Sequence, residues 1–425
     1  PCAGPTPITA AQEQMLHSHG SLLAAPSYTV APYGFRLRGP LDRDALDAAL
    51  TRITARHEPL RTGFRGREQI VGPPVAVRAE VVDVPSGDVG AAARVAREEL
   101  ARPFDLVAGP LLRAVLLPLG TEDHVLLLML HHLAGDGWSF DLLVRELSGA
   151  SPDLPVSYPD VARWERIPAV VAAREDDRAY WRRQFEGAGA PELPTVRPRG
   201  TTAPDGRAFL WTFDDATVAA ARRVADARNA TLHETVLGAF ALVVAEAADI
   251  DDVLVATPFA DRGHAGTDHL IGFFAKVLAL RIDVGKGSGG GGTPSFAEVL
   301  RRVHTAMTGA HAHQSVPYSA MRAADPALPP TPVSFQLISA LSTELRLPGL
   351  RTEPFPVVAE TVDEINGELS VNLFDDGRTV SGAVVHDAAL LDRATVDDLL
   401  TRVESTLRAA AGDLTVRVTG QVGSE

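Results

Sequence analysis

The stretch Val125-Leu126-Leu127-Leu128-Met129-Leu130-His131-His132-Leu133-Ala134-Gly135-Asp136-Gly137-Trp138-Ser139 decides how the rest of the chain is read. Six apolar residues in a row, with no polar alternation, describe a strand covered on both faces. Two histidines end it. Neighbouring strand residues face opposite sides, so one imidazole is directed to the core and the other to a cleft. Gly135-Asp136-Gly137 then lets the backbone bend sharply and brings N–H groups close to the histidines. Three readings of the pair are open. His132 is a base or proton shuttle, with Asp136 holding the turn through an ion pair to an arginine. Or both rings bind a metal, against which stand their divergence and the lack of an evident third ligand. Or both are ordinary packing residues.

Outward from this segment the pattern is mixed α and β. Strands over 111–117 and 124–130 form an antiparallel pair around Gly120-Thr121-Glu122-Asp123. The first half adds helices over 10–23 and 91–101 and strands over 33–38 and 75–84. It also holds a helix opened by Asp42, with Leu46, Ala49, Leu50 and Ile53 on one face. Proline-rich residues 191–205 read as a connector. The second half predicts strands over 209–213, 253–256, 276–284, 333–338, 369–374 and 379–385. Its helices are expected over 216–228, 232–247, 296–312 and 394–410, the second capped by Thr231 with Glu234. The glycine run 285–292 reads as a flexible loop without phosphate-loop spacing. Two units result, 1–172 and 173–425.

Composition narrows the function classes. The 425 residues carry 40 Lys and Arg against 54 Asp and Glu, a net charge of −14. Such a surface disfavours nucleic acid and anionic lipid as main partners. Cys2 is the single cysteine, so the fold does not depend on an internal disulfide. The apolar run 125–130 is too short to span a bilayer, and a cytoplasmic setting is the expectation.

His131 to Ser139 resembles the HHxxxDG signature of the condensation domains of nonribosomal peptide synthetases. Further resemblances follow in family order. They are Thr9-Ala10-Ala11-Gln12, Arg56-His57-Glu58-Pro59-Leu60-Arg61-Thr62-Gly63-Phe64 and Tyr158-Pro159-Asp160-Val161-Ala162-Arg163-Trp164. Ile271-Gly272-Phe273-Phe274 with Leu280-Arg281, and His313-Gln314-Ser315-Val316-Pro317-Tyr318, complete the series. The resemblance implies an α/β (α+β) fold of two chloramphenicol-acetyltransferase-like lobes, a V-shaped pseudo-dimer with a central tunnel. It implies amide (or ester) formation between an acyl or peptidyl thioester donor and an aminoacyl or soluble acceptor. The substrates are carried on the phosphopantetheine of donor and acceptor carrier proteins, with no cofactor or metal of the domain's own.

By the same resemblance His132 orients or deprotonates the nucleophile, or stabilises the tetrahedral intermediate. The Gly137 N–H is a candidate oxyanion donor. Asp136 is a buttress paired with Arg281, and His131 is structural. Trp138, Ser139, Arg61, Lys276 and Ser334 are the substrate-side candidates, although Trp138 also reads as packing and Arg61 as structural. The departures are Ala275-Lys276 where the family has Val-Asn, Ser315 for an acidic residue, and a weak match around 329–335. Lys276 either changes the acceptor side's polarity or points to solvent. The wording around Asp136 resembles subtypes that take a D-configured donor. A monomer is expected, from a bacterial natural-product or antibiotic pathway. A non-catalytic carrier-docking module and an epimerase-like activity are the alternatives.

Overall fold

A computed structural model describes residues 4–19, 29–84, 88–285, 294–339, 344–357, 365 and 367–413. Cys2, positions 20–23 of the expected first helix and positions 286–292 of the glycine run lie outside them. The chain divides into two units. The first comprises Pro1–Arg174, Ala260–Lys276 and Leu341–Ala359; the second holds the remainder. The first division falls inside the helix Pro168–Phe185. Two later excursions, 260–276 and 341–359, belong with the first unit, where a simple cut at 172/173 would have placed them in the second.

The first unit is built on a five-stranded sheet. Its order is Arg351–Pro356, Thr29–Arg38, Asp123–His131, Leu112–Gly120, Glu80–Val81. Asp123–His131 is an inner strand, antiparallel to both neighbours, with Leu112 opposite Leu130 and Thr29 opposite His131. Residues 125–131 are all buried, as an unalternating apolar run requires. Of the strand expected over 75–84 only Glu80–Val81 pairs, parallel to Val115 and Leu116 at the sheet edge. The helices Arg43–Arg56 and Gly137–Leu147 pack on each other. Asp42 caps the first through Ala45 N–H. A small sheet of Thr6–Pro7, Glu68–Val71 and Thr62–Arg65 completes the unit.

The second unit has a six-stranded sheet. Its order is Lys276–Asp283, Asp252–Phe259, Val333–Ser339, Leu369–Asp375, Val380–Asp387, Gly206–Thr212. Val333–Ser339 runs parallel to Leu369–Asp375, and the last two pairings are antiparallel. Helix Leu232–Ala247 is apolar around most of its circumference and buried accordingly. Its start is a capping box of Thr231 and Glu234. His313 is held by Asp177 at 2.9 Å, and the Ser315 N–H donates to the same carboxylate at 3.1 Å. No single helix among the described residues is long and apolar enough to cross a membrane.

Candidate active site

His131 ends the inner strand and is fully buried. Its Nδ1 accepts the Leu133 N–H at 3.1 Å, and its ring stands edge-on to Phe104. His132, one residue on, is partly exposed. Its ring meets Phe273 edge-on, with centroids 4.7 Å apart and planes at 61°. Burial pushes the His132 imidazole below its ordinary value of 6.5. The Asp136 carboxylate and the carbonyls of His132 and Gly135 oppose that shift without reversing it. The ring is therefore neutral at pH 7 and able to accept a proton. Gly135 is required by space, since a Cβ there would come within 2.5 Å of Leu130 Cδ2.

Asp136 caps the helix Gly137–Leu147. Its Oδ1 accepts from Ser139 N–H and from Arg262 Nη2, both at 2.9 Å. Its Oδ2 accepts from the N–H groups of Phe274 and Ala275 at 3.1 and 3.2 Å. Those four donors fill the acceptor capacity of a carboxylate, leaving none for a substrate proton. Burial would raise the Asp136 carboxyl; Arg262, Ser139 and the Phe274 N–H together hold it below the usual carboxylate value. Gly137 is the first helical residue, a position whose N–H has no acceptor within the helix.

Asp136 pairs with Arg262, not Arg281. Arg281 forms an ion pair with Asp252 and donates to the carbonyls of Gln184 at 3.0 Å and Glu186 at 2.8 Å. The cause is local: Asp252 opens the strand beside Arg281's own, and a carboxylate on an adjacent strand captures the guanidinium. Ser139 does not face substrate. It is fully buried, and its Oγ lies 2.8 Å from both Asp136 Oδ1 and the Gly272 carbonyl. The one hydroxyl proton serves one of those acceptors, while Oγ accepts from Gly272 N–H and Arg262. No valence is left for substrate.

Arg61 donates to the carbonyls of Gly72 and Ala55 and so braces the hairpin Thr62–Val71. Trp138 is 46% exposed, with its indole N–H on the Asp268 carbonyl at 2.9 Å. Lys276 does not reach solvent: it is 3% exposed and forms an ion pair with Asp261. Ser334 lies on a strand of the second unit, its hydroxyl 2.7 Å from that of Ser370.

Several motif residues turn out to be anchors. Gln12 donates to the Leu133 carbonyl at 3.0 Å, immediately after His132. Tyr158 donates to the Phe273 carbonyl at 2.6 Å and meets Thr9 Oγ1 at 2.9 Å. Burial raises its phenol well above the ordinary value, so it stays a donor. Gly272 is obligatory beneath that ring, because a Cβ would lie 2.2 Å from Tyr158 Cδ2. His57 Nε2 meets Glu146 at 2.8 Å, and its Nδ1 accepts from Ile271 N–H.

Arg262, Asp261 and the Phe273 ring are the site residues that sequence reasoning missed. Phe273 stood inside a quoted motif. Arg262 and Asp261 lie in a loop with no periodic or spacing signal. Among the described residues no group of three metal-ligating side chains occurs.

Residues 3–420 match the family model described as "Condensation domain". The chain belongs to the condensation-domain family. A linear gramicidin synthase polypeptide from Brevibacillus parabrevis is 31% identical over 97% of the chain. Malpibaldin synthetase from Mortierella alpina is 33% identical over 90% of it. The chain spans 8% and 7% of the length of those two relatives. Among solved structures, the X-domain from teicoplanin biosynthesis is 26% identical with a TM-score of 0.79, covering 97% of this chain and 96% of that one. The condensation domain of the Monacolin K polyketide synthase MokA reaches a TM-score of 0.82 at 18% identity, covering 98% and 99%, and bears on the fold alone. The mixed α/β, two-lobe fold of this condensation domain is that of its family. Condensation domains of nonribosomal peptide synthesis are acyltransferases that form amide bonds on carrier-bound substrates, without a cofactor of their own.

Proposed function

We propose that His132 is the group beside which the acceptor's amine attacks the donor's thioester carbonyl. A C–N bond forms, the carbonyl oxygen becomes an oxyanion, and the carrier's thiolate leaves as the amine gives up its proton. The observation that carries this reading is one imidazole kept neutral by burial, on a residue that is itself only partly covered, beside an aspartate whose lone pairs are all committed. His132 takes or orients the amine proton, and Asp136 keeps the backbone around it in place. The Gly137 N–H, at the positive end of its helix, suits the developing oxyanion. Much of the acceleration comes from holding the two reactants together, since an α-amine is already partly neutral near pH 8. Trp138, exposed next to this helix start, is the substrate-side residue we retain.

The partners in this reading are a donor and an acceptor carrier protein, each presenting a phosphopantetheine arm; a soluble acceptor would replace the second. The setting is a bacterial cytoplasm and the domain a monomer. The test offers the protein an acyl-loaded carrier with an aminoacyl-loaded one, and separately two N-acetylcysteamine thioesters, and follows product mass. The expected product is the coupled amide still thioesterified to the acceptor arm, with a mass equal to that of the two thioesters less the one thiol released from the donor. Carrier binding with no coupled product from either format would overturn the reading in favour of a docking module.

A further inference from the structure

The segment that carries Arg262 and Phe273 enters the first unit at Ala260 and leaves it at Lys276. Asp261 and Lys276 therefore stand at its two ends, and their side chains form an ion pair with each other. Both are sheltered: the Lys276 side chain is 3% exposed and that of Asp261 11%. A buried ammonium needs a partner of opposite charge, and Asp261 reaches it from a left-handed backbone with φ of +44°, a region that side-chain-bearing residues seldom occupy. That conformation is over-determined by what flanks it, since the next residue is Arg262, bonded to Asp136, Ser139 and the carbonyls of Thr267, Leu270 and Gly272.

A cavity of about 10 Å³ has a lining that includes Lys276, Asp261, Glu165, His264, Trp164 and Phe273. This is room for about one water and no substrate group, so the cavity does not serve as a binding subsite. Glu165, the cavity's other carboxylate, is engaged by Arg174 at 3.2 Å and by Ala10 N–H at 2.7 Å. His264 Nε2 stays 4.0 Å from Asp261. Lys276 is thus the near partner of Asp261, and His264 the distant one.

We propose that Lys276 and Asp261 are a clasp: two positioning residues that close the neck of segment 260–276 and so hold the Phe273 ring edge-on against His132. The clasp acts through Phe273 and touches no substrate. Its effect on turnover rests on His132 being the reacting group; its effect on the His132 ring does not. With the clasp opened, water enters the cavity that Phe273 shares with Lys276 and Asp261; the backbone stays held by Tyr158 and Asp136, and the Phe273 ring turns away from the imidazole. The charged group that acts on the ring, the Asp136 carboxylate, stays in place with its Arg262 partner, so the imidazole moves back toward 6.5.

The test uses the whole chain with its histidines isotopically labelled and follows the His132 ring by NMR titration. Two variants are compared with wild type: Lys276→Met, and the double variant Lys276→Met/Asp261→Asn, which leaves no unpaired buried charge if the single variant fails to fold. The clasp predicts that His132 titrates at higher pH in the variants. It also predicts that kcat at pH 7 falls about 10-fold with KM for a donor thioester unchanged, and that the acid limb of the kcat profile moves up in pH with the NMR value. A purely structural role would lower thermal stability and leave both titrations in place. A folded variant whose His132 titration and kcat both coincide with wild type overturns the clasp. A shifted NMR titration with unchanged turnover upholds the clasp and counts against His132 as the reacting group.

Discussion

Two arginine–aspartate pairs, one in each unit, show how differently the same chemistry is used. Asp136 and Arg262 have side chains each 4% exposed, and their atoms also bind Ser139, Gly272, Phe274 and Ala275. Arg281 and Asp252 are each 29% exposed and tie a strand end to the carbonyls of Gln184 and Glu186. The first pair joins two stretches of chain, 136–139 and 262–275, that are far apart in sequence. The second joins neighbouring strands to the end of a helix. The difference lies in burial and in the number of satisfied valences, and neither can be read from residue type. It also explains why a resemblance that correctly asks for an arginine opposite Asp136 selects the wrong one.

The sharpest way to break this comparison is to remove one partner of the deep pair. Arg262→Ala leaves the Asp136 carboxylate buried beside backbone N–H groups, with its guanidinium partner gone. A loss of about 3–5 kcal/mol is expected in urea unfolding, and a loss equal to that of the shallow pair would erase the distinction. Tyr158→Phe tests the anchoring of the same segment from its other side. It deprives the Phe273 carbonyl and Thr9 of a partner, and about 1–3 kcal/mol is expected, with a fall in kcat because Phe273 loosens. For the shallow pair, Arg281→Ala is expected to cost about 1 kcal/mol and to leave kcat untouched. A kcat defect there would return Arg281 to the site.

The smallest effect is one of pH. The Asp136 carboxyl is held below its ordinary value of 3.8, so its stabilisation is complete above that pH and is lost as the pH falls through the lower, folded-state value. Burial instead raises the Asp252 carboxyl, so ionising it brings no such acid-labile increment. Acid unfolding curves of Asp136→Asn should therefore flatten below about pH 4 relative to wild type, while those of Asp252→Asn should not flatten and should instead steepen on that limb.

Much of the fold is legible where local rules agree. The run 125–130 is an inner strand because nothing in it tolerates water. The caps Asp42, Thr231 and Asp136 begin helices because each places an oxygen where the third N–H needs one. Arg351–Pro356 escapes the sequence because two prolines mask it; as an edge strand it can hold them. The excess length expected over 75–84 reflects alternation without a partner strand to pair with. In the site, His132 and Asp136 were visible from the way a buried strand ends in a glycine turn. Arg262 and Phe273's contact were not, because each is made by a segment more than 120 residues downstream, and the Lys276 clasp was not, because its two ends meet across a loop. No local spacing encodes such pairings. The motif residues Gln12, Tyr158 and His57 gain their meaning only once the carbonyls and N–H groups they bind are known.

The central claim is that acyl transfer takes place at the His132 imidazole. It is tested most directly by the single-turnover rate of amide formation from a loaded donor and an aminoacyl acceptor, comparing wild type with His132→Ala at pH 7. A fall of at least about 100-fold, with donor binding and unfolding midpoint unchanged, is the predicted result. A His132→Ala protein that couples its substrates at the wild-type rate would contradict it.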